Sequence, residues 1–262
     1  MNVRPSAVAG TFYPGVADQL RKTVRRYVEE GRTRAHGSSP KALIVPHAGY
    51  VYSGPVAGSG YALLESKRSE ISRVVLLGPA HFVPLDGLAL PGADAFSTPL
   101  GEVPIDKAAE SQVALLSQVE TSSAAHAREH SLEVQLPFLQ EVLVSFDLVA
   151  LAVGGGNMEE VEEVIDVLWG GDETVILVSS DLSHYNDYET ARRLDRQTAQ
   201  AIEELRPEDL EPEDACGGVA LKGLLLAARR RGLAARTVDL RSSGDTAGPR
   251  DQVVGYGSFA IA

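Results

Sequence analysis

The side chains able to do chemistry gather in short turns rich in proline and glycine. Pro46-His47-Ala48-Gly49-Tyr50 follows the apolar run Ala42–Val45. Gly78-Pro79-Ala80-His81 follows Val74–Leu77, and Ser179-Ser180-Asp181-Leu182-Ser183-His184 follows Val175–Val178. Neutral imidazoles with a carboxylate or a thiolate are transition-metal ligands. His47 and His81 offer two nitrogens. The third donor is either Asp181 or Cys216. Asp181 gives a two-histidine, one-carboxylate face suited to Fe(II); Cys216 is a softer donor suited to Fe, Cu(I) or Zn. Cys216 lies in Glu213-Asp214-Ala215-Cys216-Gly217-Gly218, at an expected helix start. A helix N-terminus favours the thiolate there, and the two neighbouring acids oppose it.

Glu129-His130-Ser131-Leu132-Glu133 sets His130 and Glu133 three apart. A helix would put them on one face. His130 is expected to touch substrate or to support the ligands, with Glu133 orienting it and itself expected among the substrate-binding residues. The segment matches neither H-E-x-x-H nor H-x-x-E-H, because Val134 follows Glu133. His36 and His126 sit in polar stretches and are expected to be bystanders. No phosphate loop is present, and Gly154-Gly155-Gly156 lacks the dinucleotide spacing. Ser179 and Ser180 follow a strand near His184, yet no pattern marks a nucleophilic serine.

Elements of two kinds must position these residues. Ala42–Val45, Arg73–Leu77, Leu148–Val153 and Thr174–Ser179 are near-continuous apolar runs, as strands buried on both faces of a mostly parallel sheet read. Ala235–Leu240 and Val253–Ile261 are two further strands. Helical patterns separate them. Asp18–Glu30 is amphipathic. Gly54-Pro55 is expected to open a second helix, since proline suits the first helical position. Asp106 caps a helix to Leu116, and Ser131–Val144 is a helix. Asn157 caps Met158–Trp169. Tyr188–Leu205 and a last helix from near Asp214 to Arg231 follow. Val83–Ile105 reads as an irregular excursion or a hairpin. Alternating strands and helices predict an α/β fold with a mostly parallel or mixed central sheet flanked by helices. In such a sheet the loops at the strand C-termini converge on one edge. His47, His81, Asp181 and His184 are therefore expected to meet.

Composition narrows the class. The chain has 262 residues, which is long enough for a real core, and no linker divides it, so residues 1–262 are read as a single domain. Lys+Arg is 24 against Asp+Glu 36, a net charge of −12. Phosphate backbones would repel such a surface, so no nucleic-acid partner is expected. The single cysteine rules out an internal disulfide. No apolar run suggests a signal peptide or a membrane span, so a cytoplasmic protein without membrane attachment is expected.

Read together, Ala-Gly-Thr-Phe-Tyr-Pro within Ala7–Pro14, Val-Pro-His-Ala-Gly-Tyr-Val-Tyr-Ser at Val45–Ser53, Leu-Gly-Pro-Ala-His at Leu77–His81, Glu-His-Ser-Leu-Glu-Val-Gln-Leu-Pro at Glu129–Pro137, Val-Ser-Ser-Asp-Leu-Ser-His at Val178–His184 and Cys216-Gly217 resemble the Memo family. Its microbial members are often called AmmeMemoRadiSam system protein B. The motifs run in order over nearly the whole chain. The resemblance implies a fold similar to class III extradiol dioxygenases and a metal site of His47, His81 and Cys216, lined by Asp181 and His184. The dioxygenases use a glutamate where Cys216 stands, and a thiolate invites copper or redox chemistry. The implied function is an Fe(II)- or copper-dependent oxidoreductase, with zinc a further fit. His184 would move protons, helped by His130, with Asp181 beside them. Tyr50, Tyr52 and Phe82 would wall a pocket for a small molecule or peptide. The other implied reading is a non-catalytic metal- or peptide-binding accessory protein that works with a radical-SAM partner protein.

Overall fold

The computed structural model describes residues 2–262. The chain begins with β1 (Val3–Arg4) and α1 (Ala17–Gly31). β2 (Ala42–Val45) leads into α2 (Tyr50–Tyr61), a 3-10 segment (Ala62–Lys67) and β3 (Arg73–Pro79). Next come β4 (Leu88–Leu90), β5 (Ala95–Thr98), β6 (Gly101–Pro104), α3 (Lys107–Val113), β7 (Val119–Thr121) and α4 (Ser123–Ala127). A 3-10 turn (Glu133–Gln135) runs into α5 (Leu136–Val142). β8 (Asp147–Val153) feeds α6 (Met158–Val167), and β9 (Thr174–Ser179) feeds β10 (His184–Asn186) and α7 (Tyr188–Glu203). The chain closes with α8 (Gly218–Arg230), β11 (Ala235–Ser242), α9 (Ser243–Thr246) and β12 (Val253–Ile261).

A mixed sheet in the order β10-β12-β2-β9-β3-β8-β4-β7 forms the centre, with β11 also paired to β12. β2, β9, β3 and β8 are mutually parallel, while β12 runs antiparallel to β2 and β4 antiparallel to β8. Their apolar runs are continuous because both sheet faces are covered, and the pleat sorts successive residues to opposite layers. Leu43, Val45, Val74, Leu76, Val175 and Leu177 enter one core layer; Ala42, Ile44, Val75, Leu77, Ile176 and Val178 enter the other. α1, α2 and α5 contribute to the first layer, and α6, α7 and α8 to the second. The excursion expected over Val83–Ile105 contains β4 and the β5–β6 hairpin, and β1 joins that hairpin in a small separate sheet.

Three helix starts differ from expectation. α2 opens at Tyr50, which leaves Pro55 inside the helix. The first turn is anchored before the proline: Tyr50 N–H donates to Phe12 O (2.8 Å), and Ser53 Oγ donates to Ala48 O (2.8 Å). Pro55 lacks the N–H that would reach Val51 O, and Val51 stands exposed, where water can serve its carbonyl. α8 starts at Gly218 rather than near Asp214, so Cys216 precedes the helix in an irregular turn. The expected helix over Ser131–Val144 begins only with the 3-10 turn at Glu133.

Candidate metal centre

The parallel strands deliver their C-terminal turns to one edge. His47 follows β2, His81 follows β3, Asp181 follows β9, and Cys216 comes from the turn before α8. Ligand atoms of His47, His81 and Cys216 all lie within 4.8 Å of one another. The His47 and His81 rings meet edge to face, centroids 5.3 Å apart. Cys216 Sγ sits 3.2 Å from His47 Nε2. The thiol is held by two backbone bonds: Asp181 N–H donates to Sγ (3.2 Å), and Cys216 N–H donates to Asp181 O (3.2 Å). Gly217 allows this close seating. A Cβ there would fall 2.8 Å from both Ser179 O and Ser180 Cβ, while its N–H donates to Ser180 Oγ (2.9 Å). Asp181 does not join the ligand triplet. It is buried, and its Oδ1 accepts the His47 backbone N–H at 2.8 Å. Of the two third donors left open by spacing, the geometry places Cys216 with the histidines.

His81 is oriented by a carboxylate. Its Nδ1 lies 2.9 Å from Glu129 Oε1, and a carboxylate can only accept, so Nδ1 carries a proton and the neutral ring has its lone pair on Nε2. Glu129 also accepts the backbone N–H groups of His81 (2.6 Å), His130 (2.9 Å) and Ser131 (2.9 Å). Burial alone would raise its pKa; the bonds from His81 and from the backbone more than offset this and hold it at about 2. A second group, His81, Glu129 and His130, also falls within 4.8 Å. Glu129 is already engaged by four N–H donors, so it acts there as the partner that aims His81. A histidine ligand whose second nitrogen donates to a carboxylate is the usual arrangement at metal centres.

The remaining ring chemistry is set by burial. Burial, then the neighbouring His81, lowers the His47 pKa to about 3. Burial, then His47, lowers His130 to about 4. His130 stacks on His81, centroids 4.8 Å apart and 18° between planes. Burial pushes the Cys216 thiol up to about 12, and the Asp181 carboxylate adds to this. Asp181 itself is raised, burial leading. Two soft-to-borderline nitrogens and one thiolate donor suit Fe, Cu or Zn. The residues present therefore fit a transition metal, though the thiol must lose its proton to bind one.

A cavity of about 780 Å3 opens over this cluster, lined by His47, His81, His130, Asp181, His184, Cys216 and others from the β10–α7 and α8 approaches. His184 and the exposed Tyr185 come from β10. Tyr185 has φ +61° within the irregular pairing of β10 and β12, a left-handed conformation uncommon for a non-glycine residue.

Four residues expected to bind substrate do not line the cavity. Glu133 is fully buried behind the site: it pairs with Arg4 and accepts from Tyr13 OH (2.5 Å), Ala7 N–H (2.7 Å) and Val8 N–H (3.0 Å). It therefore pins the N-terminal segment and does not orient His130. Tyr50 is buried against Tyr13 and Phe138, its OH donating to Val134 O (2.6 Å). Tyr52 is exposed on α2, and Phe82 is exposed with its ring centroid 5.9 Å from that of His130; neither belongs to the cavity wall. His126 is a core residue of α4 with Nε2 2.7 Å from Ala89 O, a bystander to the site. Sequence reasoning raises Ser179 only as a serine nucleophile and does not single out Glu129, Gln135 or Tyr185 as site residues. Glu129 precedes His130 directly, which is the available signal; nothing in the spacing marks Gln135.

Comparison with known proteins agrees with these motifs. Residues 4–260 match the Memo-like protein family. A MEMO1 family protein of Aquifex aeolicus is 36% identical over 268 residues, covering 98% of each chain. One from Ignicoccus hospitalis is 36% identical over 284 residues, covering 98% of this chain and 97% of its own. One from Nitrosopumilus maritimus is 31% identical, covering 98% of each. The crystal structure of an uncharacterized Escherichia coli K12 protein superposes with a TM-score of 0.55 at 15% identity, over 83% of this chain and 98% of that one, which shows a shared fold. The chain belongs to the Memo-like family.

Proposed function

We propose that this member of the Memo-like family is a metal-dependent redox protein whose His47, His81 and Cys216 hold Fe(II) or copper. The observation that carries the reading is the convergence of three ligand atoms within 4.8 Å. Glu129 holds the proton of His81 on Nδ1, so the neutral ring offers Nε2, and the His47 ring stays neutral through burial. When bound, such a metal supplies Lewis-acid and one-electron chemistry. The chain's own residues do the rest. Cys216 gives up its thiol proton on ligation, and His184, His130 and Asp181 face the same cavity as groups that accept or return protons. The cavity wall carries the carboxylates of Asp181, Glu213 and Asp214 and no lysine or arginine. That lining supports a neutral or cationic small molecule over an anionic one.

The test measures metal by mass spectrometry in protein purified without oxygen. The parent is expected to hold about one equivalent, and Cys216→Ser and His47→Ala to lose most of it. Stoichiometric metal in both variants would overturn the ligand assignment. Loaded parent is then assayed for O2 uptake against catechols and thiols. Uptake above that of free metal supports the redox reading; none, at full loading, favours a binding role for the same centre.

A further inference from the structure

Behind His47 lies a buried chain of hydrogen bonds that the ligand assignment leaves unexplained. Ser179 Oγ has three polar neighbours: Ser131 O at 2.6 Å, Gln135 Nε2 at 2.7 Å and His47 Nδ1 at 2.9 Å. A hydroxyl owns one proton and two lone pairs. Ser131 O is a carbonyl and only accepts, so it takes the hydroxyl proton. Gln135 presents its amide nitrogen, because the same Nε2 lies 3.0 Å from the carbonyl of Pro46 while Oε1 accepts from Tyr61 OH (2.9 Å). One lone pair of Ser179 is thereby used. Only the second lone pair remains for His47, so Nδ1 must be the donor. Ser131, Ser179, Gln135 and Tyr61 are all 0% or 1% exposed, so bulk water does not compete for these bonds.

We infer that Ser179 is a positioning residue of the centre: its hydroxyl, polarised by Ser131 O and Gln135, confines the His47 proton to Nδ1 and so presents an unprotonated Nε2 to a cation. The inference deepens the proposed function and rests on it only for the cation. The same lone pair faces Cys216 Sγ at 3.2 Å, where the thiol S–H can occupy it until a metal displaces that proton. His47 and His81 are thus set to the same tautomer by different partners, a hydroxyl and a carboxylate.

Two measurements test this. The first needs no variant and no metal: long-range 15N–1H correlation spectra of the metal-free protein report the tautomer of the His47 ring, assigned with His47→Gln. The expected result is protonated Nδ1 and bare Nε2; a ring protonated at Nε2 overturns the inference. The second is Zn(II) affinity by chelator competition in Ser179→Ala and Ser179→Thr. Ser179→Ala is expected to bind about 10- to 100-fold more weakly and to show a share of the Nε2-protonated form, as for other lost partners of ligand histidines. Ser179→Thr keeps the hydroxyl and is expected to restore both. Unchanged affinity with an unchanged tautomer in Ser179→Ala overturns the role. If the parent shows the expected tautomer but takes up no Zn(II), Fe(II) or copper, the metal reading falls and the tautomer assignment stands.

Discussion

Asp195 and Glu129 are both buried carboxylates, and their surroundings push them in opposite directions. Burial raises Asp195 to about 6, only partly countered by hydrogen bonds from Ser183. Its Oδ1 accepts Ser183 N–H at 3.1 Å, one residue before His184, and no cation pairs with it among the described residues. The sign of its effect follows. Between about 4 and about 6 the folded state holds a proton that the unfolded state has released. Stability therefore falls as pH rises through that window, by ~3 kcal/mol at most for a shift of this size. Glu129, held at about 2, contributes the reverse: stability present above the ordinary carboxylate pKa and lost as pH falls toward 2. Asp195→Asn keeps an acceptor for Ser183 N–H and removes the titration. Denaturant midpoints of parent and variant at pH 4 and pH 7.5 should diverge, the variant gaining on the parent at the higher pH. Parallel pH curves would show that Asp195 does not titrate in this window.

Close approach, more than propensity, decides how α1 and α2 pack over the first core layer. A Cβ on Gly58 would stand 2.3 Å from Tyr27 O, and one on Gly31 would stand 2.6 Å from Gly58 C and O. These contacts are with backbone, which cannot swing aside. Gly58→Ala should therefore destabilise by about 2 kcal/mol or more, beyond the small gain alanine brings to a helix. Asn157→Ala, by contrast, removes a complete capping box at α6 and should cost about 1 kcal/mol. Urea melts of the two variants compare them, and a Gly58→Ala loss no larger than that of Asn157→Ala would count against the close packing. The contrast marks what was legible in the amino-acid sequence. Strands β2, β3, β8 and β9 could be read because burial on both faces leaves an unbroken apolar run. The Asn157 and Asp106 caps could be read because a cap is a local bond. The start of α2 could not: Pro55 signals a first turn, and only the distant Phe12 carbonyl shows where the helix begins. The same split holds for the site. His47, His81, Asp181 and His184 were found from strand-end position, and Cys216 as the favoured third ligand from family resemblance. Ser179 shares the strand-end position, but its bonds to His47 and Gln135, like that between Glu129 and His81, span 44 to 132 residues, which no spacing rule encodes.

The whole molecule adds a field to these local contacts. Its 36 acidic and 24 Lys and Arg residues leave a net charge of −12, and the lining of the cavity over the cluster includes Asp181, Glu213 and Asp214 but no lysine or arginine. Among the described residues no helix is long and apolar enough to cross a membrane. A negative molecule with three carboxyl side chains at the cavity should draw divalent cations inward. Salt shortens the reach of that field from roughly 30 Å at 0.01 M to roughly 3 Å at 1 M. Stopped-flow uptake of Co(II) should therefore slow about tenfold or more between 0.01 M and 0.5 M salt, measured against a small neutral chelator to remove the salt effect on the ion itself. Glu213→Gln with Asp214→Asn should flatten this dependence while leaving the release rate unchanged, because neither side chain belongs to the His47–His81–Cys216 triplet. A salt-independent uptake rate in the parent would mean that the surface charge has no part in loading the centre. Equal salt slopes in parent and double variant would assign the steering to the overall charge and not to the cavity.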